Sequence, residues 1–185
     1  MKAILMSIRP EWVAKILNGE KTIEIRKKFP KDYVGWVYIY ATKQNDLFKS
    51  YIRMGYYTTR SNADDLEYNG KGKVVARFWC DKVEGAYNFY VEELCQLACI
   101  NKEELYKYAD GWYKTDDLLA IHITKLEIFD EPKEISEFYK LGFEKEYNQA
   151  VFCLKNNVRW KTEPDYVIED YRLTRAPQSW CYVEV

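Results

Sequence analysis

Histidine is nearly absent: one residue, His122, serves the whole 185-residue chain. A serine or cysteine triad needs a base beside its nucleophile, so such a mechanism would hang on that one ring. His122 sits in the strand-like "LLAIHITKL" and reads more simply as structural. The cysteines Cys80, Cys95, Cys99, Cys153 and Cys181 form an odd set with no C-x-x-C pair, which argues against a disulfide framework and against a zinc ribbon. Cys95 and Cys99 stand one helical turn apart in "EELCQLACI" and would need a third ligand to hold a metal, so two small buried hydrophobes is the preferred reading. There is no glycine-rich phosphate loop and no H-E-x-x-H, and neither a metal nor an organic cofactor is expected. Apolar runs are short as well. "MKAILMSIRPEW" is interrupted by Arg9 and Pro10 before a signal-peptide core can form, and no run approaches the roughly 18 apolar residues of a membrane span. A cytoplasmic protein without a membrane partner is the expectation. Finally, no excess of one charge exists: 28 Lys and Arg against 29 Asp and Glu leave a net charge of −1. That excludes a nucleic-acid binder working by counterion release over its whole surface, and leaves only a local patch. Residues 20–32 supply one, with Lys21, Arg26, Lys27, Lys28 and Lys31 against Glu20, Glu24 and Asp32.

What the chain has in surplus is aromatic: 17% of residues, including 17 Tyr and 6 Trp, more than a core of this size requires. Tyr and Trp pair an apolar body with a polar tip, so a surplus suits a binding surface. The length predicts one domain over residues 1–185 with an insertion around 43–70 and a C-terminal extension.

Several elements can be read from the pattern. "KAILMSI" suits a buried strand. "RPEWVAKILNG" reads as a short helix, with Pro10 in its first turn, an apolar stripe of Trp12, Val13, Ile16 and Leu17, and a left-handed stop at Asn18-Gly19. "KTIEIRKKF" alternates, and Lys27 breaks its apolar face near the end. "VGWVYIYAT" and the long "GKVVARFWCDKVEGAY" are rich in β-branched and aromatic residues and predict strands, as does "LLAIHITKLEIF". In "INKEELYKYADG", Asn101 and Glu104 form a capping-box pattern with Gly111 as the stop. A short helix is predicted after Pro132, then a polar stretch "KNNVRWKTEPDY" and a closing strand. The polar stretch from 43 to 72 has room for a helical turn at "DLFKSYIRMG". The order predicts a mostly β, α+β fold with flanking helices at the ends of a sheet that forms a small open or closed barrel.

The residues that invite chemistry lie in "ILNGEKTIEIRKKFP". Strand alternation puts Ile23, Ile25 and Phe29 on one face and Glu24 with Arg26 on the other, outward one. As a surface pair, Glu24 and Arg26 would contribute about 0–1 kcal/mol. Facing outward, Lys21 and Arg26 would tolerate alanine with little loss of stability, and would offer fixed donors to an anionic or carbonyl-bearing ligand. Glu24 would orient them or accept from a base amino group.

Gly19, Lys21, Glu24 and Arg26 reproduce the G-x-K-x-x-E-x-R signature of the ASCH family, and the chain resembles that family along most of its length. "LMSIRPEWVAKIL" is similar to the strand and helix before the signature, and "LLAIHITKLEIFDEPKEISEF" to a later strand, proline and short helix. "RAPQSWCYVEV" is similar to the closing segment of longer phage and bacterial members. The resemblance implies a PUA-like β-barrel, related to RNA-binding domains, with a cleft beside the signature for RNA or a nucleotide-like ligand. It also implies a second reading, since one small family member is an amidohydrolase that deacylates acylated cytidine through a lysine, a threonine and a glutamate. The lysine matches Lys21, but the threonine falls on Glu24 and the glutamate falls near Ala98 to Ile100, where no acid stands.

Two readings therefore stay open. In the preferred one, the chain binds RNA, a single-stranded nucleic acid or a modified nucleoside. Lys21, Glu24 and Arg26 then form the polar frame, Ser7, Gln178 and Ser179 add hydrogen bonds, and Trp36, Tyr40 and Trp180 stack on the ligand. Trp12 is a further stacking candidate for which core packing is preferred. In the other, Lys21 and Glu24 act as a proton-transfer pair in a small amidohydrolase.

Overall fold

The computed structural model describes residues 1–43 and 70–185. The expected insertion around 43–70, with its helical turn, lies outside the described residues apart from its two end positions. The first apolar run organises everything else. β1 (Lys2–Ile8) is buried on both faces, which is why it reads as a continuous run instead of an alternation. It lies inside a five-stranded sheet, parallel to β3 (Gly35–Ala41) on one side and antiparallel to β8 (Trp180–Glu184) on the other. Between β1 and β3 runs the connection the pattern predicted: α1 (Pro10–Leu17), with Pro10 in its first turn and Gly19 at φ 74° beyond its end. After that stop the amides of Glu20 and Lys21 both donate to the carbonyl of Lys15, so the chain leaves the helix through a tight hydrogen-bonded turn.

Two runs expected as single strands each divide between two sheets. "GKVVARFWCDKVEGAY" breaks at Asp81 and Lys82 into β4 (Val74–Cys80) and β5 (Val83–Gly85). "LLAIHITKLEIF" breaks at Ile123 into β6 (Leu119–His122) and β7 (Thr124–Lys133). β4 and β7 join the large sheet, while β5 and β6 pair with β2 (Ile23–Arg26) in a three-stranded antiparallel sheet of order β2-β6-β5. Where a mostly β fold around a small open or closed barrel was expected, the described residues form a mixed α/β arrangement of two sheets. Among the described residues no ladder joins the sheets into a ring.

The layers follow from the apolar faces. Ile4, Met6, Val37, Ile39 and Phe78 of the large sheet pack with α1 and with Leu119 and Ile121 of the small sheet. The other face of the small sheet, Ile23, Ile25 and Ala120, is covered by α2 (Val91–Leu97) and α3 (Lys102–Ala109). α3 carries the predicted capping box, in which the Glu104 amide donates to Asn101 Oδ1 at 2.8 Å. Its stop is Asp110 at φ 64°, one residue before the glycine expected to end it. The outer face of the large sheet packs Leu5, Tyr38 and Tyr40 against Phe138.

The helix expected after Pro132 is absent: Pro132 lies inside β7, followed by a single 3-10 turn at Ile135–Glu137. β7 is an edge strand, where a missing amide costs no ladder bond. Two helices the pattern did not yield follow instead, α4 (Phe143–Lys155) and α5 (Pro164–Tyr171). Among the described residues no helix is long and apolar enough to cross a membrane.

His122 has a partner that explains it. Its Nε2 donates to Glu84 Oε1 at 2.8 Å, and the same carboxylate accepts from Lys82 Nζ and Asn88 Nδ2. Burial raises the Glu84 pKa, but these three donors outweigh it and hold the group at about 2. A carboxylate depressed in the folded state stabilises above its ordinary range near 4.5 and loses that contribution as pH falls toward 2. Glu84→Gln should therefore cost about 1–3 kcal/mol at pH 7 and progressively less toward pH 2. Urea denaturation of both proteins across that range checks it, and a penalty independent of pH would show that the charge on Glu84 is not what matters.

Candidate functional site

Glu24 and Arg26 do not face solvent. Ile23 and Ile25 point toward α2 and α3 as the alternation requires. Glu24 and Arg26 share their face with their ladder partners Ile121 and Leu119, which belong to the core between the sheets. The expected outward pair is thus an interior one, with Glu24 7% exposed and Lys21 5% exposed. Both faces of β2 are covered, and Phe29, expected beside the two isoleucines, packs instead in the core between the sheets, because the strand and its alternation end at Arg26.

Buried charge persists only when it is paired, and here it is paired in series. The Lys21 ammonium donates to the Ala98 carbonyl at 2.7 Å and stands 3.4 Å from Glu24 Oε2. Glu24 Oε1 lies 3.0 Å from Arg26 Nε, an ion pair whose angle falls short of a hydrogen bond. The other end of the guanidinium donates to the Ser7 carbonyl at 2.8 Å and to Ser179 Oγ at 3.2 Å. One carboxylate therefore sits between two cations, and Arg26 connects the small sheet to the end of β1 and to the segment entering β8. Lys21 arrives at its place through the turn after α1, and the Ala98 carbonyl is supplied by the end of α2. Burial pushes the Lys21 pKa below its ordinary value, against the opposing pull of Glu24. Ala98 to Ile100, which carry no acid, supply backbone carbonyls instead: Lys21 takes that of Ala98 and Lys15 that of Cys99.

This frame lines an open cleft of about 750 Å³. Its floor includes Ser7, Lys21, Glu24, Ile25 and Ala98, and its more exposed margin includes Arg9, Lys27, Glu104, Lys107 and Tyr108. Five cationic and two carboxylate side chains face it, in a chain whose net charge is −1. Trp12, expected to pack in the core, does lean on the core cluster, but it also lines the cleft with its ring 5.3 Å from Lys21 Nζ.

Of the residues singled out in the sequence, Ser7, Lys21, Glu24, Arg26 and Gln178 line the cleft. Ser179 supports it from behind through Arg26, while Ser7 is tied to the same segment by its amide to the Ser179 carbonyl and its hydroxyl to the Pro177 carbonyl. The three stacking candidates stand elsewhere. Trp36 and Tyr40 belong to the outer face of the large sheet, where Trp36 packs against Trp79 and Arg77. Trp180 donates to the Lys28 carbonyl and packs edge-on to Phe29. Residues at even positions of β3 point away from the cleft, a fact that periodicity cannot supply without knowing which face is which. Conversely, Arg9, Thr42, Ile100, Glu104, Lys107 and Tyr108 line the cleft unforeseen. The spacing of Glu104, Lys107 and Tyr108, three and four residues apart on one helix face, was the available signal. Among the described residues no group of three His, Cys, Asp or Glu, around Cys95 and Cys99 or elsewhere, is placed to hold a metal ion.

The family model of the ASCH domain matches residues 6–149. No curated protein matches the chain. Among solved structures, an ASCH protein from Zymomonas mobilis superposes with a TM-score of 0.51 at 15% identity, covering 98% of this chain and 87% of its own. A tyrosine-to-phenylalanine mutant of the Zymomonas mobilis protein gives 0.51 at 13% identity, over 100% and 91% of the two chains. At such identities the likeness is one of fold.

Because the charges are interior, their removal should be felt in stability. Arg26→Ala strands Glu24 beside one cation and leaves the Ser7 carbonyl without its donor, and should cost about 2–4 kcal/mol in urea denaturation. A loss below about 1 kcal/mol would mean that the bridge between the sheets carries no weight. For Lys21 the folded-state pKa lies below the unfolded value of 10.5, so between the two the unfolded chain holds a proton the folded one has released. Wild-type stability should therefore rise relative to Lys21→Met as pH climbs toward 10.5, and a flat difference would contradict a depressed Lys21.

Proposed function

From the premise that this chain belongs to the ASCH domain family, we propose that it binds a single-stranded RNA segment or a nucleotide-like ligand, with one base held in the cleft beside Lys21, Glu24 and Arg26. The observation that carries the reading is the contrast between a near-neutral chain and a cleft with an excess of cations beside an indole. A base needs an apolar face to lie on and polar groups at its edge. The half-buried indole of Trp12 supplies the first, and the exposed amide of Gln178, which can both donate and accept, supplies the second. The frame behind them is held rigidly by the paired charges, so the ligand meets fixed donors. We read the two facing sheets as an open version of the PUA-like barrel, in one domain over residues 1–185 that carries the insertion around 43–70.

A second reading, deacylation of acylated cytidine or a related modified nucleoside, is favoured by one observation: a buried lysine with a lowered pKa, 3.4 Å from a carboxylate, at the floor of a cleft. Against it stands Glu24 at the threonine position. Its carboxylate is engaged by both cations, and it offers no hydroxyl for acyl transfer.

Calorimetric titration with short single-stranded RNA and with mononucleotides separates these possibilities. Gln178→Ala, an exposed change, should leave the melting temperature unchanged and weaken binding by roughly 3- to 10-fold, the loss of one good hydrogen bond. Absence of binding by the wild-type protein would overturn the first reading. Release of cytidine from its acylated form above a Lys21→Met control would establish the second.

A further inference from the structure

The floor and the margin of the cleft differ in what their cations are free to do. At the floor, Lys21 is committed to the Ala98 carbonyl and Glu24, and Arg26 to Glu24, the Ser7 carbonyl and Ser179. An anion arriving there would have to be stripped of water and to compete with a carboxylate already in place, which is costly in a buried site. At the margin the position is reversed. Among the described residues the ammonium of Lys107 has no partner, and Arg9, itself exposed, is met only by the partly buried Glu11 at 3.6 Å. Lys27 is half exposed, bonded to Asp110 and placed over the ring of Tyr108 at 5.6 Å. The one margin carboxylate, Glu104, accepts from the Asn101 amide within its capping box, so it is held at the start of α3. Arg9, just before α1, Lys27, just beyond β2, and Lys107, in the last turn of α3, thus bring three exposed cations from three elements to one opening.

We propose that the cleft takes a phosphorylated ligand whose phosphate rests on Arg9, Lys27 and Lys107 at the opening while its base lies inward against Trp12. This rests on the nucleotide-binding reading above and adds to it a phosphate position separate from the Lys21, Glu24 and Arg26 frame. Exposed cations keep their hydration until the ligand arrives and cost little to hold ready, so the anionic end belongs at the margin and the planar end at the half-buried indole.

The test compares the common ribonucleosides with their 5′-monophosphates by calorimetry at low salt, using wild type, the double variant Arg9→Ala/Lys107→Ala, and Lys155→Ala as a surface-charge control. The monophosphate should bind roughly tenfold more tightly than its nucleoside in wild type and in the control. In the double variant that preference should shrink to about twofold or less with the nucleoside affinity kept, and raising the salt should shrink it in wild type too. Equal affinities in wild type would overturn the phosphate position while leaving base binding intact. A preference that survives in the double variant would also overturn it and move the phosphate to the floor cations. Failure of both ligands to bind would overturn this inference together with the reading it rests on. All the replaced side chains are exposed, so circular dichroism and melting curves should match those of wild type.

Discussion

Between the two sheets runs one charged seam, Lys21 to Glu24 to Arg26, and the rest of the architecture is arranged so that this seam can be buried. Three ionised groups in an interior are tolerable only if each finds its counterpart. Glu24 faces a cation on either side, Lys21 takes a helix-end carbonyl that would otherwise lack a donor, and Arg26 spends its remaining donors on β1 and on the segment before β8. The turn after α1, the end of α2, the end of β1 and the final loop are all fixed by what this seam demands of them. The cleft is the open side of the same construction. Its floor is rigid because the seam is satisfied, and its polarity is positive because two cations share one acid.

Local features of this arrangement were legible in the sequence. α1, its proline start and its glycine stop follow from propensity and backbone geometry within a dozen residues, as does the capping box of Asn101 and Glu104. The assignment of Ile23 and Ile25 to one face and Glu24 and Arg26 to the other also held, since alternation is a property of the strand itself.

What alternation cannot say is what lies over each face, and there the reading failed. A strand with apolar residues on one side and charges on the other looks half exposed, but β2 has helices on one side and a second sheet on the other. The same limit misplaced Trp36 and Tyr40, whose strand is buried on both faces, so nothing in its pattern distinguishes the cleft side from the outer side. The breaks at Asp81–Lys82 and at Ile123 carry no glycine or proline, and only the pairing of each half with a different sheet reveals them. α4 and α5 escaped notice because their apolar stripes are thin.

One further consequence belongs to the cleft wall formed by Ser7 and the Pro177–Ser179 segment. These partners are separated by about 170 residues along the chain, and β8 completes the large sheet by pairing with β1. Contacts of such long range close late in folding, because the loop they seal must lose its freedom before they contribute. During synthesis the signature residues wait: Arg26 has its Glu24 neighbour at once, but Ser179 only after a further 153 residues have been made. The cleft wall therefore cannot close before the Pro177–Ser179 segment is made, and a chain halted short of it holds Arg26 without its Ser179 partner.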